Sequence, residues 1–183
     1  FLVNQPPEII LNSDIEDVKC FGGNDGSATI TGVLNANQPV VYDWSNANAS
    51  PQIMALVAGV YTVTVTDTEG CKATKIFEIN EPEVLGLSFQ QQPLLCATDS
   101  NATITVVVTG GTGDYTYQWI NGENTATINQ LGPGQYSLTV TDRNGCTVTG
   151  VQTIEQPDSL LLASQLTEPE CFGEQNGRIK PIK

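Results

Sequence analysis

The stretch Leu56–Cys71 reads LVAGVYTVTVTDTEGC, and 75 positions later Leu131–Cys146 reads LGPGQYSLTVTDRNGC. Both copies begin with Leu, pass a Gly and enter an alternating run. Tyr61, Val63 and Val65 share one face with Thr62, Thr64 and Thr66 on the other. In the second copy Tyr136, Leu138 and Val140 alternate with Ser137, Thr139 and Thr141. A period of two with β-branched residues predicts a half-buried strand. Each copy closes on Asp-x-x-Gly-Cys, a tight turn whose Gly tolerates positive φ and whose Asp can bond backbone two residues on. A duplication in register predicts a tandem array.

Working outward, the first unit spans about 6–81 and the second about 82–156. Residues 1–5 read as the end of a preceding unit, and 157–183 as the start of a third. Gln5-Pro6, Glu81-Pro82 and Gln156-Pro157 mark the junctions. Proline favours an extended predecessor and suits a short, stiff link. In the first unit, strands are predicted at Ile9–Val18, Ser27–Val33, Val40–Trp44, Gln52–Leu56, the organising run, and Lys72–Glu81. The second unit repeats this order with Ala102–Thr109, Tyr115–Ile120 and Thr125–Leu131. Short strands, frequent turn signals and no amphipathic helix predict an all-β fold: tandem immunoglobulin-like antiparallel β-sandwich repeats of about 75 residues. Trp44 and Trp119 stand at matching positions and read as core plugs. Tyr61 and Tyr136, each after a Leu-x-x-Gly corner, read as tyrosine corners.

Composition narrows the function. Seven Lys and Arg against 20 Asp and Glu leave a net charge of −13. Such a surface repels nucleic acid and anionic membranes, and no apolar run is long enough to span a bilayer. The chain has no histidine, which removes Ser-His-Asp and Cys-His nucleophile systems. Glycines cluster in hairpin turns and match no phosphate-binding loop. No catalytic residue is identified, and the chain does not read as an enzyme. No cofactor is expected. Calcium is the one metal to weigh, through the loop 22–26 and the turns Asp67–Gly70 and Asp142–Gly145. These lack the dense alternating carboxylates of a dedicated calcium loop, and turn formation explains the same residues.

Five cysteines, at 20, 71, 96, 146 and 171, fall in step with the repeat. Without CxxC spacing or histidine they do not suggest zinc. They suggest disulfides, hence an exported protein. Two schemes are open. Pairing within units joins Cys20 to Cys71 and Cys96 to Cys146, leaving Cys171 over. Pairing across the junctions joins Cys71 to Cys96 and Cys146 to Cys171. The extended run between Cys71 and Cys96 disfavours the second scheme, since bridged Cα atoms lie within about 7 Å. An ordinary immunoglobulin-like strand order opposes the first, because it puts the two cysteines of one unit at opposite poles. Loss of one strand, suggested by the short link 121–124, would bring them together. Within-unit pairing is the preferred expectation, each loop of about 50 residues contributing roughly 4 kcal/mol in the chain-entropy model.

These motifs resemble the SprB-repeat family, named for a gliding-motility adhesin of Bacteroidota. The matching residues are Cys20, Gly22, Asp25–Ser27, Tyr42, Trp44, Leu56, Gly59, Tyr61, Val65–Asp67, Gly70 and Cys71. In the second unit they are Cys96, Gly110–Gly111, Tyr115, Tyr117, Trp119, Leu131, Gly134, Tyr136, Val140–Asp142, Gly145 and Cys146. The first unit departs at Val33–Val40, where a Gly-Gly turn is expected. The second lacks the Gly after its first Cys.

The resemblance implies a large repetitive adhesin, exported by type IX secretion to the extracellular, outer-membrane-associated cell surface, and serving attachment and gliding motility. Its implied partners are neighbouring repeats of the same chain, with no nucleic acid and no direct membrane insertion. A carbohydrate-binding module is the alternative, with surface polysaccharide as ligand and Phe21, Tyr115 and Phe172 as candidate stacking rings.

Overall fold

Val63 and Val65, with their counterparts Leu138 and Val140, are the centres of two separate hydrophobic cores. The computed structural model describes residues 6–159, 163–167 and 178–182. In the first core, β1 (Ile10–Glu16), β2 (Gly26–Leu34) and β4 (Gln52–Leu56) form one sheet. β3 (Val41–Trp44), β5 (Gly59–Thr66) and β6 (Lys72–Ile79) form the facing one. The order β1-β2-β4 against β3-β5-β6, all antiparallel, is an immunoglobulin-like sandwich lacking the strand that ordinarily follows the third.

The second core repeats this with β7 (Gly86–Gln92), β8 (Ala102–Thr109) and β10 (Thr127–Leu131) against β9 (Thr116–Trp119), β11 (Gly134–Thr141) and β12 (Thr147–Ile154). A last hairpin pairs β13 (Ala163–Thr167) with β14 (Arg178–Ile182). Cys171 and Phe172 lie outside the described residues.

The alternating run folds as its period requires. Along β5 and β11, Val63, Val65, Leu138 and Val140 are buried while the threonines between them are half-buried. The turns that follow use the glycine as expected, with φ of +81° at Gly70 and +86° at Gly145.

The preceding strand breaks its own period. Ile53 and Leu56 are both buried although three residues apart, as are Ile128 and Leu131. An irregular register, with Ala55 at φ +57° and Gln130 at +56°, supplies the extra half-step. This bulge turns both side chains into the core.

Trp44 and Trp119 are each 2 % exposed. Their indole N–H groups donate to Ser50 O at 2.8 Å and Thr125 O at 2.9 Å. Each packs on a phenylalanine, but from opposite sheets. Trp44 meets Phe77 of β6 at 5.3 Å between centroids, and Trp119 meets Phe89 of β7 at 5.9 Å. Gly150 makes the second arrangement possible, because a Cβ there would stand 2.6 Å from Leu87 and 3.0 Å from Phe89. Tyr61 donates to Val57 O and Tyr136 to Gly132 O, both at 3.1 Å, so each hydroxyl fastens the corner four residues upstream.

Candidate functional site: the junction between the sandwiches

The pole of the first sandwich that faces the second is built around Cys20. Val18 N–H donates to Asn80 O at 2.9 Å, and Asn80 N–H donates to Asp17 Oδ1 at 2.8 Å. Gly22 N–H donates to Glu81 Oε2 at 2.6 Å. The first loop is thus tied to the segment through which the chain leaves β6. Within it, Lys19 N–H donates to Asp25 Oδ1 at 3.0 Å.

The facing pole of the second sandwich is organised by Asp142. Its Oδ1 accepts from Asn144 and Cys146 N–H, both at 2.9 Å, and its Oδ2 accepts from Thr112 N–H at 2.9 Å. Gly111 N–H donates to Glu83 O at 2.9 Å, which fixes the entering chain to the same pole. Asp67 plays this part in the first unit. It accepts from Glu69 N–H at 3.0 Å, Cys71 N–H at 2.8 Å and Asn37 N–H at 3.2 Å. Burial alone would raise both carboxyls, but the converging backbone N–H groups outweigh it and hold each below the ordinary aspartate value.

Cys20 and Cys146 meet between these poles and form a disulfide, with Cα atoms 5.7 Å apart. Cys71 and Cys96 are free and exposed. This corrects the expected pairing on both counts. Cys20 bonds neither Cys71 nor any residue of its own unit, Cys146 does not bond Cys96, and Cys71 does not bond Cys96. The reason is the length of β6. Cys71 precedes its first residue, whereas Cys20 is tied beyond its last, and eight residues of strand separate the ends by roughly 25 Å. Losing one strand does not bring the poles together. What it leaves intact is a head-to-tail stacking, in which the exit pole of one unit meets the entry pole of the next.

Asn144 reinforces the seam, its Nδ2 donating to Lys19 O at 3.0 Å and Thr112 Oγ1 at 3.1 Å. Beside the disulfide lies an open groove of about 370 Å³ lined by Phe21, Val84, Leu85 and Thr147, with Phe21 57 % exposed. Tyr115 is half-buried and spends its hydroxyl on Gly110 O at 2.6 Å. Nothing in the sequence marks Asn144 or the Lys19 carbonyl as partners, because the contact joins residues 125 positions apart. Asp67 and Asp142 are legible as turn residues; their reach to Asn37 and Thr112 is not.

The family model of the SprB repeat matches residues 12–49 and 88–124. The chain carries the SprB repeat twice. Each match opens within the first strand of a sandwich and ends beyond its tryptophan, taking in both Cys20 and Cys96. SprB repeats belong to cell-surface proteins, and the chain is a repeat module of that kind. No curated protein matches the sequence.

Among solved structures, the two-domain DIP-gamma IG1+IG2 is similar at 12 % identity and a TM-score of 0.38, over 82 % of this chain and 98 % of that one. Murine CEACAM1b is similar at 12 % identity and 0.33, over 81 % and 99 %. The amphioxus IgVJ-C2 molecule gives 12 % and 0.33, over 78 % and 95 %. The immunoglobulin-like assignment stands on the strand order described above. Among the described residues no helix is long and apolar enough to cross a membrane, and no three His, Cys, Asp or Glu side chains are grouped to hold a metal.

Proposed function

We propose that these SprB repeats form part of the stalk of a large secreted adhesin, holding an adhesive surface away from the cell for attachment and gliding motility. The observation that carries this reading is the Cys20–Cys146 bond between opposite poles of successive sandwiches. A covalent clamp at a short Pro-containing junction supports a unit whose task is to extend a chain of like units. The acidic surface, net −13, keeps such arrays apart from one another. The partners in this reading are neighbouring repeats, and the adhesive grip comes from few sites or from many weak ones acting together.

Phe21 favours a second reading, carbohydrate binding, because it is an exposed ring at the edge of a groove. That groove is lined mainly by apolar residues and the disulfide, which suits a packing seam better than a polar sugar.

Small-angle scattering and a polysaccharide binding panel, run with the disulfide intact and in both calcium and chelator, test the two readings together. The stalk reading expects an elongated particle and no saturable binding. A compact particle would overturn it. Saturable binding abolished by Phe21→Ala would establish the second reading in its place.

A further inference from the structure

Among the described residues, the two free cysteines are the same two positions that are bonded at the junction, displaced by one unit. Cys71 ends the last turn of the first sandwich as Cys146 ends that of the second. Asp67 Oδ1 accepts from Cys71 N–H at 2.8 Å, and Asp142 Oδ1 accepts from Cys146 N–H at 2.9 Å. Each aspartate N–H also donates to its cysteine carbonyl at 3.0 Å.

Cys96 opens the first loop of the second sandwich as Cys20 opens that of the first. Cys20 O accepts from Gly23 N–H at 2.9 Å and Cys96 O accepts from Asp99 N–H at 3.1 Å. The loop is again tied to the exit strand, here by Gln156 Nε2 donating to Ala97 O at 3.1 Å, where Glu81 holds Gly22 in the first unit. Both thiols are exposed at the outward poles, Cys71 at the entry and Cys96 at the exit, and Leu95 beside Cys96 is 78 % exposed.

We infer that Cys71 and Cys96 are inter-unit cross-linking sites, each taking the complementary cysteine of an adjoining repeat. The rule is staggered: the first-loop cysteine of one unit bonds the last-turn cysteine of the unit that follows. Cys20–Cys146 is one rung. Cys71 takes the first-loop cysteine of a unit before it, and Cys96 takes the last-turn cysteine of a unit after it. This rests on the array reading proposed above and extends it from one clamp to a continuous ladder. The supporting contacts are not all repeated, since Glu69 stands where Asn144 does and Ala97 where Phe21 does. The cysteines and their backbone anchors are what recur. Each rung forms by thiol–disulfide exchange. Two thiols lose two protons and two electrons to a disulfide oxidant such as oxidised glutathione, which leaves as two thiols.

A chain in which residues 6–156 are followed directly by a second copy of residues 6–156 supplies the missing neighbour and keeps a Gln-Pro junction. After refolding with oxidised and reduced glutathione, non-reducing peptide mapping should find Cys96 of the first copy bonded to Cys71 of the second. Both copies should keep Cys20–Cys146. Two thiols should then react with maleimide under denaturing conditions, and Cys96→Ser in the first copy should raise that to three. Four reactive thiols, or Cys71 bonded within its own unit, would overturn the ladder. Scattering on the same chain keeps the two proposals apart. Four thiols in an elongated particle would sink the ladder and leave the stalk, whereas a compact particle would sink the stalk.

Discussion

Asp142 Oδ2 accepts a hydrogen bond from Thr112 N–H at 2.9 Å, joining the last turn of the second sandwich to the β8–β9 loop 30 positions earlier. With Asn144 and Cys146 N–H on its other oxygen, one carboxylate satisfies three backbone donors. Asp142→Ala leaves all three without that acceptor. Its second unit should melt several degrees lower, as followed by Trp119 fluorescence in a Trp44→Phe background. Asp142→Asn, which keeps one acceptor oxygen, should fall between the two. Equal melting of all three proteins would remove Asp142 from the account of the pole.

Acid should act through the same carboxylates. Both Asp67 and Asp142 are lowered in the fold. Their stabilisation is therefore complete above the unfolded aspartate value of about 4 and is lost as the pH falls through the lower folded values. Melting temperature should fall as the pH drops below about 4. The double variant Asp67→Asn, Asp142→Asn should show a flatter profile there and little difference in slope near neutrality. Parallel profiles would show that other groups set the acid limit.

The tryptophans report on separate cores. Truncating one to alanine should cost its own unit about 3–5 kcal/mol, a large part of the 5–15 kcal/mol typical of a domain. Trp44→Ala should leave the transition seen by Trp119 nearly in place, and Trp119→Ala the converse. A matched loss in both units would mean that they fold as one.

Gly150→Ala should strike the second unit alone. The added methyl would press on Leu87 and Phe89, forcing the ring that packs on Trp119. Overpacking of this kind costs about 1–3 kcal/mol, and calorimetry should show only one unit moving. The matching position in the first unit is Lys75, whose Nζ donates to Leu11 O at 3.0 Å.

Much of this architecture is legible in the sequence, because a period of two is dictated by the pleat. The alternating runs at Tyr61–Thr66 and Tyr136–Thr141 place their strands and inward faces directly. Other features follow from long-range packing and leave no local signal. The bulges at Ala55 and Gln130 appear only as Ile and Leu at an odd spacing of three. The tryptophan's phenylalanine partner changes sheet because Gln152 stands where Phe77 does, while Gly150 leaves room for Phe89. The disulfide was the least accessible feature. Cysteines in step with a repeat invite pairing within each copy, yet the strand between them holds them apart and the next copy supplies the partner.

The bond between Cys20 and Cys146 also fixes how the molecule carries tension. The two sulfurs lie 126 positions apart in sequence. A pull applied at residues 6 and 159 travels through β1, crosses the disulfide and leaves through β12. The chain between them forms a covalent loop outside the line of force, and roughly 400 Å of contour is withheld from extension. Oxidised chains pulled singly should lengthen only by the short ends, while reduced chains should release both sandwiches. An array of such clamps would behave as a tether that holds its length under drag.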